Sequence, residues 1–157
     1  MSTTLPQTND FGGTPLVLLQ TIAEAIRANG TDCEIVGDSS TEIRGVAIDS
    51  RKAAATCLFI CKGAGFKPAF LESAIASGAA AYLCQGELDE QGKLTAPADL
   101  AAAAAGTPAI VAADVRRAMA TASKVAYGDP SAGLNIVGIT GTKGKTTTSY
   151  MLHAIMD

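Results

Sequence analysis

The sequence predicts an α/β protein in which a small mixed sheet with flanking helices is followed by the first strand, loop and helix of a second, parallel-sheet domain. Apolar residues make up 48% of the 157 residues, and aromatic residues only 4%. Such a core suits helices packed on a sheet better than it suits a β-sandwich. Predicted helices and strands also alternate along the chain, which favours strands joined by helical connections.

The predicted elements follow from local signals in chain order. Thr14 and Pro15 predict a helix start, and Gly30 predicts its end. Asp114 predicts the cap of a helix that runs to Ala126. Residues 86–107 are predicted to form a surface excursion with one helical turn. β-Rich stretches and apolar runs predict strands at residues 33–37, 42–49, 58–61, 80–84, 109–112 and 135–140. A helix is predicted at residues 68–77, because the apolar residues at positions 70, 71, 74 and 75 fall on one side and Gly78 can end it.

Composition and charge argue against several kinds of partner and site. The formal net charge is −3 with both signs scattered along the chain, so nothing predicts nucleic-acid binding. The apolar stretches are interrupted well short of the ~20 residues that a membrane-spanning helix needs. Residues 1–13 are predicted to form a loose leader that is too polar for a signal peptide. The four cysteines form no C-x-x-C pair, which predicts reduced thiols in a cytoplasmic protein and no zinc site.

The strongest chemical signal is a glycine-rich turn between the predicted strand at residues 135–140 and the last helix. Glycines let successive backbone amides turn inward around an anion, and the following helix adds positive charge at its N-terminus. Lys145 is predicted to reach the β- and γ-phosphates of a nucleotide, and the Thr146 hydroxyl to ligate Mg²⁺. The predicted nucleotide-binding residues are Gly141, Thr142, Lys143, Gly144, Lys145, Thr146 and Thr147.

The spacing of this turn departs from the common phosphate-loop pattern, which has four residues between the first glycine and the Gly-Lys pair. In this chain Gly138 leaves five residues and Gly141 leaves two. An ordinary glycine turn before a helix is the alternative, but a strand, Gly-Lys-Thr and a helix in this order favour a triphosphate site. The motif alone does not name a reaction, so a kinase or GTPase stays open at this point.

Three blocks of the sequence resemble the Mur ligases, which build the peptide of bacterial peptidoglycan. Residues 140–147 are T-G-T-K-G-K-T-T and closely resemble the T-G-T-N-G-K-T-T phosphate loop (P-loop) of that family, with Lys143 at the position of the usual Asn. D-S-R at residues 49–51, L-F at residues 58–59 and the glycine loop after them resemble the family's amino-terminal domain. The ending Y-G-D-P-S at residues 127–131 is most like the ligase that adds the third amino acid.

The resemblance implies two domains. Residues 14–131 would bind the UDP of a UDP-N-acetylmuramoyl-peptide, and residues 132–157 would begin a central, parallel-sheet ATPase domain that is truncated in this chain. Ser50 would contact the uridine or would be an exposed serine at a strand end, and Asp49 could instead form a turn that orients the loop. Arg51 would approach the diphosphate or would pair with a surface acid. Phe66 could stack on uracil or pack in the core. The UDP contacts implied by the resemblance are Asp49, Ser50, Arg51, Gly63 and Ala64.

The resemblance further implies an ATP-dependent amide-forming ligase that adds the third amino acid to UDP-N-acetylmuramoyl-dipeptide through an acyl phosphate. Its cofactors would be ATP and Mg²⁺, its catalytic residue Lys145, and its third substrate a diamino acid. The full-length enzyme would be a cytoplasmic monomer. The family's further metal ligands, modified lysine and arginine motif lie downstream of residue 157, so this chain alone is expected to be inactive. The alternatives are a D-Ala-D-Ala-adding Mur ligase and a non-catalytic UDP-sugar-binding module.

One further expectation concerns the predicted strand at residues 135–140. A parallel strand is normally covered on both faces, and this one has no predicted neighbours in the chain. Residues 132–157 are therefore expected to be mobile in solution or packed on another copy.

Overall fold

The computed structural model describes residues 14–156, and the predicted leader at residues 1–13 lies outside the described residues. The helices are α1 (Leu19–Ala28), α2 (Pro68–Ala76), α3 (Ala98–Ala103), α4 (Val115–Ala126) and α5 (Lys145–Met156). The strands are β1 (Val17–Leu18), β2 (Cys33–Val36), β3 (Glu42–Ile43), β4 (Gly45–Ala47), β5 (Cys57–Cys61), β6 (Ala81–Gln85), β7 (Glu87–Leu88), β8 (Leu94–Thr95) and β9 (Ala109–Ala112). Between residues 14 and 156, no helix is both long and apolar enough to cross a membrane.

Five strands form one mixed sheet in the order β2-β9-β6-β5-β4. Strands β4, β5, β6 and β9 are parallel to one another, and β2 runs antiparallel to β9 at one edge. Parallel neighbours need crossover connections, and the segments between these strands supply them. The predicted α/β class, with a mixed sheet and flanking helices, is confirmed.

Alternate residues of the central strands point to opposite faces of the sheet, and helices cover both faces. Leu58 and Ile60 of β5 are buried with α1 and α4 on one face. Phe59 and Cys61 are buried with α2 and α3 on the other face. Because both faces are covered, the strand sequences are nearly continuous apolar runs without polar alternation.

Helix α1 begins later than Thr14 and Pro15 predict. Val17 and Leu18 pair with β3, and the helix begins only at Leu19. Proline does not open the helix here because the residues after it form a strand pair with residues 42–43. The predicted helix end is confirmed, since the helix stops at Ala28 and Gly30 has φ +76°.

Most other predicted elements are confirmed within one or two residues. The predicted cap of α4 is present: the Asp114 carboxylate accepts from the backbone amides of Arg116 and Arg117 at 3.0 and 3.1 Å. The predicted strand at residues 42–49 is divided into β3 and β4. The surface excursion contains an unpredicted hairpin, β7–β8, before the helical turn, which is α3.

The predicted strand at residues 135–140 is wrong, because the structure has no regular secondary structure there. A parallel strand needs neighbours for its backbone hydrogen bonds, and no strand in residues 14–156 pairs with this segment. Ile136 and Val137 are 72% and 63% exposed. Helix α5 follows as predicted, yet none of residues 131–156 is buried.

Strand β4 forms the free edge of the sheet, where Tyr127 covers it. The Tyr127 hydroxyl lies 3.4 Å from both the amide nitrogen and the carbonyl oxygen of Val46, so it can accept from one and donate to the other. Tyr127 directly follows α4 and therefore ties the end of that helix to the sheet edge. These contacts are long, but they occupy backbone groups that an edge strand otherwise leaves open.

Candidate functional site

An open cavity of 810 Å³ lies where the parallel strands β4 and β5 end. In sheets of this kind, the carboxyl ends of parallel strands are where ligands bind. The wall is supplied by the residues that follow the two strands and by helix α2. It includes Asp49, Ser50 and Arg51 after β4, and Lys62, Gly63 and Gly65 after β5.

Asp49 and Arg51 form an ion pair in this wall. The Asp49 carboxylate accepts from the Arg51 backbone amide at 3.0 Å, which caps the short 3₁₀ turn at Ser50–Lys52. The Arg51 guanidinium also donates through Nε to Oδ1 at 2.9 Å and through Nη2 to Oδ2 at 2.6 Å. The hydrogen bonds from the Arg51 side chain lower the pKa of Asp49 to about 2, so the carboxylate is charged at neutral pH. The structure thus pairs Arg51 with an acid, one of the two alternatives that the sequence leaves open.

The turn after β5 presents bare backbone to the cavity. Gly63 has φ +105°, which side chains rarely adopt, and its carbonyl accepts from the Phe66 amide at 3.1 Å. Apart from the glycine itself and its two chain neighbours, no atom of the described residues lies within 4 Å of the position that a Cβ would take at Gly63 or Gly65. The space beside this backbone is therefore open, and a ligand can approach the main chain closely.

Three phenylalanines form a wall that runs from the core to the cavity. The ring of Phe66 lies 6.3 Å from that of Phe59 and 6.0 Å, edge-on, from that of Phe70. Phe59 is 1% exposed and Phe70 is 43% exposed. Phe66 is partly buried and packs against the core, yet it also lines the cavity. Both roles predicted for Phe66 thus remain compatible with its position, and Phe70 adds a second aromatic surface.

The predicted UDP contacts are largely brought together, although they come from two separate parts of the sequence. Ala64 is exposed and is not part of the cavity wall. Lys62 and Phe70 line the cavity but were not predicted as site residues. The signal that could have found Lys62 is its position directly after a buried strand and before a glycine turn. The predicted contacts that share the cavity wall are Asp49, Ser50, Arg51 and Gly63.

The predicted nucleotide loop lies outside this cavity and is exposed. Gly144 has φ +79°, and its carbonyl accepts from the Thr148 amide at 2.9 Å where helix α5 begins. Within the described part of the chain, the backbone amides of residues 141–144 have no protein acceptor. The Lys145 ammonium donates to the Gly141 carbonyl at 2.5 Å. The loop therefore combines backbone amides that have no protein acceptor with the Lys145 ammonium group, which folds back onto the loop.

The cysteines serve the core. All four are free thiols, and all four are buried. Burial raises the pKa of the Cys84 thiol to about 12, and burial also raises the pKa of Cys61 on the neighbouring strand. Thiols that stay protonated are poor nucleophiles. The four side chains act as small apolar groups, as the sequence predicts.

Comparisons with known proteins identify relatives over most of the chain. No protein-family model matches it. The chain is 39% identical over 120 residues, 76% of its length, to a Latilactobacillus sakei protein named UDP-N-acetylmuramyl-tripeptide synthetase. A Bifidobacterium longum protein of the same name is 34% identical over 122 residues, 78% of this chain. A Streptococcus pneumoniae protein named UDP-N-acetylmuramoyl-L-alanyl-D-glutamate–L-lysine ligase is 29% identical over 148 residues, 90% of this chain.

The matched regions are small parts of these relatives. They amount to 21% of the Latilactobacillus protein, 21% of the Bifidobacterium protein and 28% of the Streptococcus protein. The chain thus spans between a fifth and a third of the length of the curated relatives it matches. The names of these relatives belong to much longer proteins.

Proposed function

This chain is homologous over three quarters of its length to Mur ligases, and on that premise we propose that it is the UDP-binding part and the beginning of the ATP-binding part of such an enzyme. The whole protein would add the third amino acid to UDP-N-acetylmuramoyl-dipeptide in the cytoplasm. The amino acid would be a diamino acid. L-Lysine is the first to test, because two relatives are named as ligases for it.

The observation that carries this proposal is the cavity at the ends of β4 and β5. It joins residues 49–51 to the glycine turn at residue 63, the same two blocks that resemble the UDP-binding domain of the family. Ser50 offers a hydroxyl, and the Gly63 turn offers backbone with open space where a side chain would lie. A polar ligand with one flat base suits a wall that combines such groups with the partly buried ring of Phe66 and the exposed ring of Phe70.

The glycine loop before α5 would hold the nucleotide triphosphate. Its fit to ATP rests on the unpartnered amides of residues 141–144 and on the Lys145 ammonium that bends over them. Open amides and an ammonium group are the donors that phosphate oxygens require. Thr146, in the first turn of α5, would contribute a hydroxyl to Mg²⁺. Bound Mg-ATP would supply the phosphoryl group that activates the substrate carboxylate.

The charge of the reactants explains why these residues are needed. A carboxylate is a poor electrophile, and its negative charge repels the γ-phosphate that must approach it. Lys145 and the amides of the loop would offset that repulsion and hold the phosphate in line with the carboxylate. Lys143 would add a second positive charge to the same loop.

Calorimetric titration of the 157-residue chain tests the UDP site, and titration of the full-length protein with Mg-ATP separates two functions. We expect UDP-N-acetylmuramoyl-dipeptide to bind whether the protein is a ligase or a non-catalytic UDP-sugar-binding module. A non-catalytic UDP-sugar-binding module would bind no Mg-ATP even within the full-length protein, whereas a ligase would. Failure of the UDP ligand to bind the folded chain would refute the assignment of the cavity.

Replacing Lys145 by Ala in the full-length protein tests the loop. The loss of one charge-assisted contact, about 1.5–3 kcal/mol, predicts roughly a tenfold to hundredfold weaker ATP affinity and loss of ADP release. Lys67→Ala is the control, because that lysine is exposed and lies outside the loop and the cavity wall. Unchanged turnover in Lys145→Ala would remove the loop from the mechanism.

Measuring ADP release with different substrates distinguishes the proposed ligase from the related Mur ligase that adds D-Ala-D-Ala. ADP release that requires UDP-N-acetylmuramoyl-dipeptide and a diamino acid supports the proposal. Release that requires a tripeptide substrate and D-Ala-D-Ala would assign the protein to the later step instead. For the 157-residue chain alone, we expect no ADP release with either pair.

A further inference from the structure

Among the residues that the structure describes, three charged side chains line the cavity between residues 49–51 and the Gly63 turn, and two of them neutralise each other. Arg51 donates two side-chain hydrogen bonds to Asp49, at 2.9 and 2.6 Å. The pKa of Asp49 is lowered to about 2 by these bonds, so the pair stays ionised and carries no net charge at neutral pH. Arg51 therefore offers little free positive charge to a ligand, despite its place in the D-S-R motif.

The third charged side chain is Lys62, which follows β5 directly. It is exposed and lines the same cavity. Across residues 14–156, no carboxylate forms an ion pair with it. Among the charged residues of the cavity wall, Lys62 is thus the one whose charge is not already offset.

Backbone donors lie next to this lysine. The amides of Gly63 and Gly65, which both line the cavity, have no acceptor in the part of the chain that the structure describes. The space beside the two glycines is open. Free amides next to an unpaired ammonium form a concentrated set of donors for phosphate oxygens.

We propose that Lys62, and not Arg51, is the residue that binds the diphosphate of the UDP-linked substrate. The inference rests on the proposed function, because it takes the cavity to be the UDP site. Lys62 approaches the phosphates as a point charge, while the Asp49–Arg51 pair keeps the neighbouring turn in shape. Lys62 thereby makes the site prefer a nucleoside diphosphate to the uncharged nucleoside.

The test compares UDP with uridine in calorimetric titrations of the 157-residue chain and its Lys62→Met variant. Methionine keeps the length and apolar stem of lysine but removes the charge. We expect the variant to bind UDP roughly fivefold to tenfold more weakly, as the loss of one exposed charged contact implies. Its affinity for uridine should stay within about twofold. The UDP preference of the unaltered chain should also fall with added salt, and that of the variant should not.

Lys67→Met serves as the matched control, since Lys67 is an exposed lysine outside the cavity wall and should leave both affinities unchanged. Equal thermal midpoints of the three proteins show that each is folded. A Lys62→Met variant that keeps the full preference for UDP would overturn the inference and leave the proposed function intact. Uridine and UDP binding equally well to the unaltered chain would do the same. Binding of neither ligand would refute the proposed UDP site, and the inference with it.

Discussion

Residues 14–130 and residues 131–156 contain similar apolar side chains but use them in opposite ways. Leu83 of β6 is completely buried, whereas Leu134 is 65% exposed. In the first region, β5, β6 and β9 provide one another with backbone partners, and helices cover both faces. In the second region, an equally apolar stretch has no partner strand. An apolar run therefore becomes a strand only where neighbouring strands complete its hydrogen bonds.

The two candidate sites differ in the same way. The UDP cavity is built on elements that the sheet and α2 hold in place, so we expect it to be preformed. The nucleotide loop precedes a helix of 12 residues that buries none of them. An isolated helix of that length is marginal in water. We therefore expect the first site to function in this chain, and the second to depend on additional packing.

Hydrogen exchange should show the largest difference between the regions. Amides of the central strands, such as that of Leu83, exchange only when the sheet opens, whereas those of Val137 and Ile139 have no strand partner. We expect protection of the central strands to exceed that of residues 137 and 139 by at least about a thousandfold. Strong, concentration-independent protection of Val137 and Ile139 would contradict the comparison. Protection that rises with protein concentration would mean that the region packs on another copy.

Matched leucine truncations should show the next largest effect. Leu83→Ala removes a side chain buried between β5, β9 and the helices, and should lower the free energy of unfolding by about 2–5 kcal/mol. Leu134→Ala removes the same atoms from an exposed position and should change it by less than about 0.5 kcal/mol. Urea denaturation measures both values. Equal losses in the two variants would mean that residue 134 is packed in solution.

The cap of α4 should contribute less than the core. Asp114→Ala removes the carboxylate that accepts from two amides of the first turn, and should cost about 1 kcal/mol. Asp114→Asn keeps a capping oxygen and should lose only a fraction of that. If both variants unfold at the same urea concentration as the unaltered chain, the cap does not stabilise the fold.

The Asp49–Arg51 pair should give the smallest effect on stability, because its members lie at the surface. The pKa of Asp49 is about 2 in the folded chain, below the ordinary value of 3.8. Its stabilising contribution is thus present above pH 3.8 and disappears as the pH falls through about 2. Carboxyl chemical shifts should titrate near pH 2 in the unaltered chain, and closer to 3.8 in Arg51→Met. An unchanged midpoint in that variant would show that Arg51 does not form the pair in solution.

The sequence predicted the elements whose signals are local. Asp114 predicted the cap of α4, and the spacing of the apolar residues within positions 68–77 predicted α2. The apolar run at residues 109–112 matches β9 at both ends. The prediction from local signals failed for the start of α1. Pro15 is a good local signal for a helix start, but residues 17–18 pair with β3 instead. A distant strand partner decided that segment, and no local pattern contains that information.

The residues of the candidate site also fall into those that local signals predicted and those that only the folded structure revealed. The D-S-R block and the glycine after β5 could be chosen from the sequence, because motifs and turn residues are local signals. The sequence by itself therefore determined the α/β class, most helices and strands, and the family resemblance. Only the tertiary structure decided that residues 135–140 are not a strand, that Lys62 shares a cavity with residues 49–51, and that the charge of Arg51 is offset by Asp49. The reason is that caps and periodicity act within a few residues, whereas strand pairing, cavities and the geometry of charged pairs depend on how the folded chain places its side chains in space.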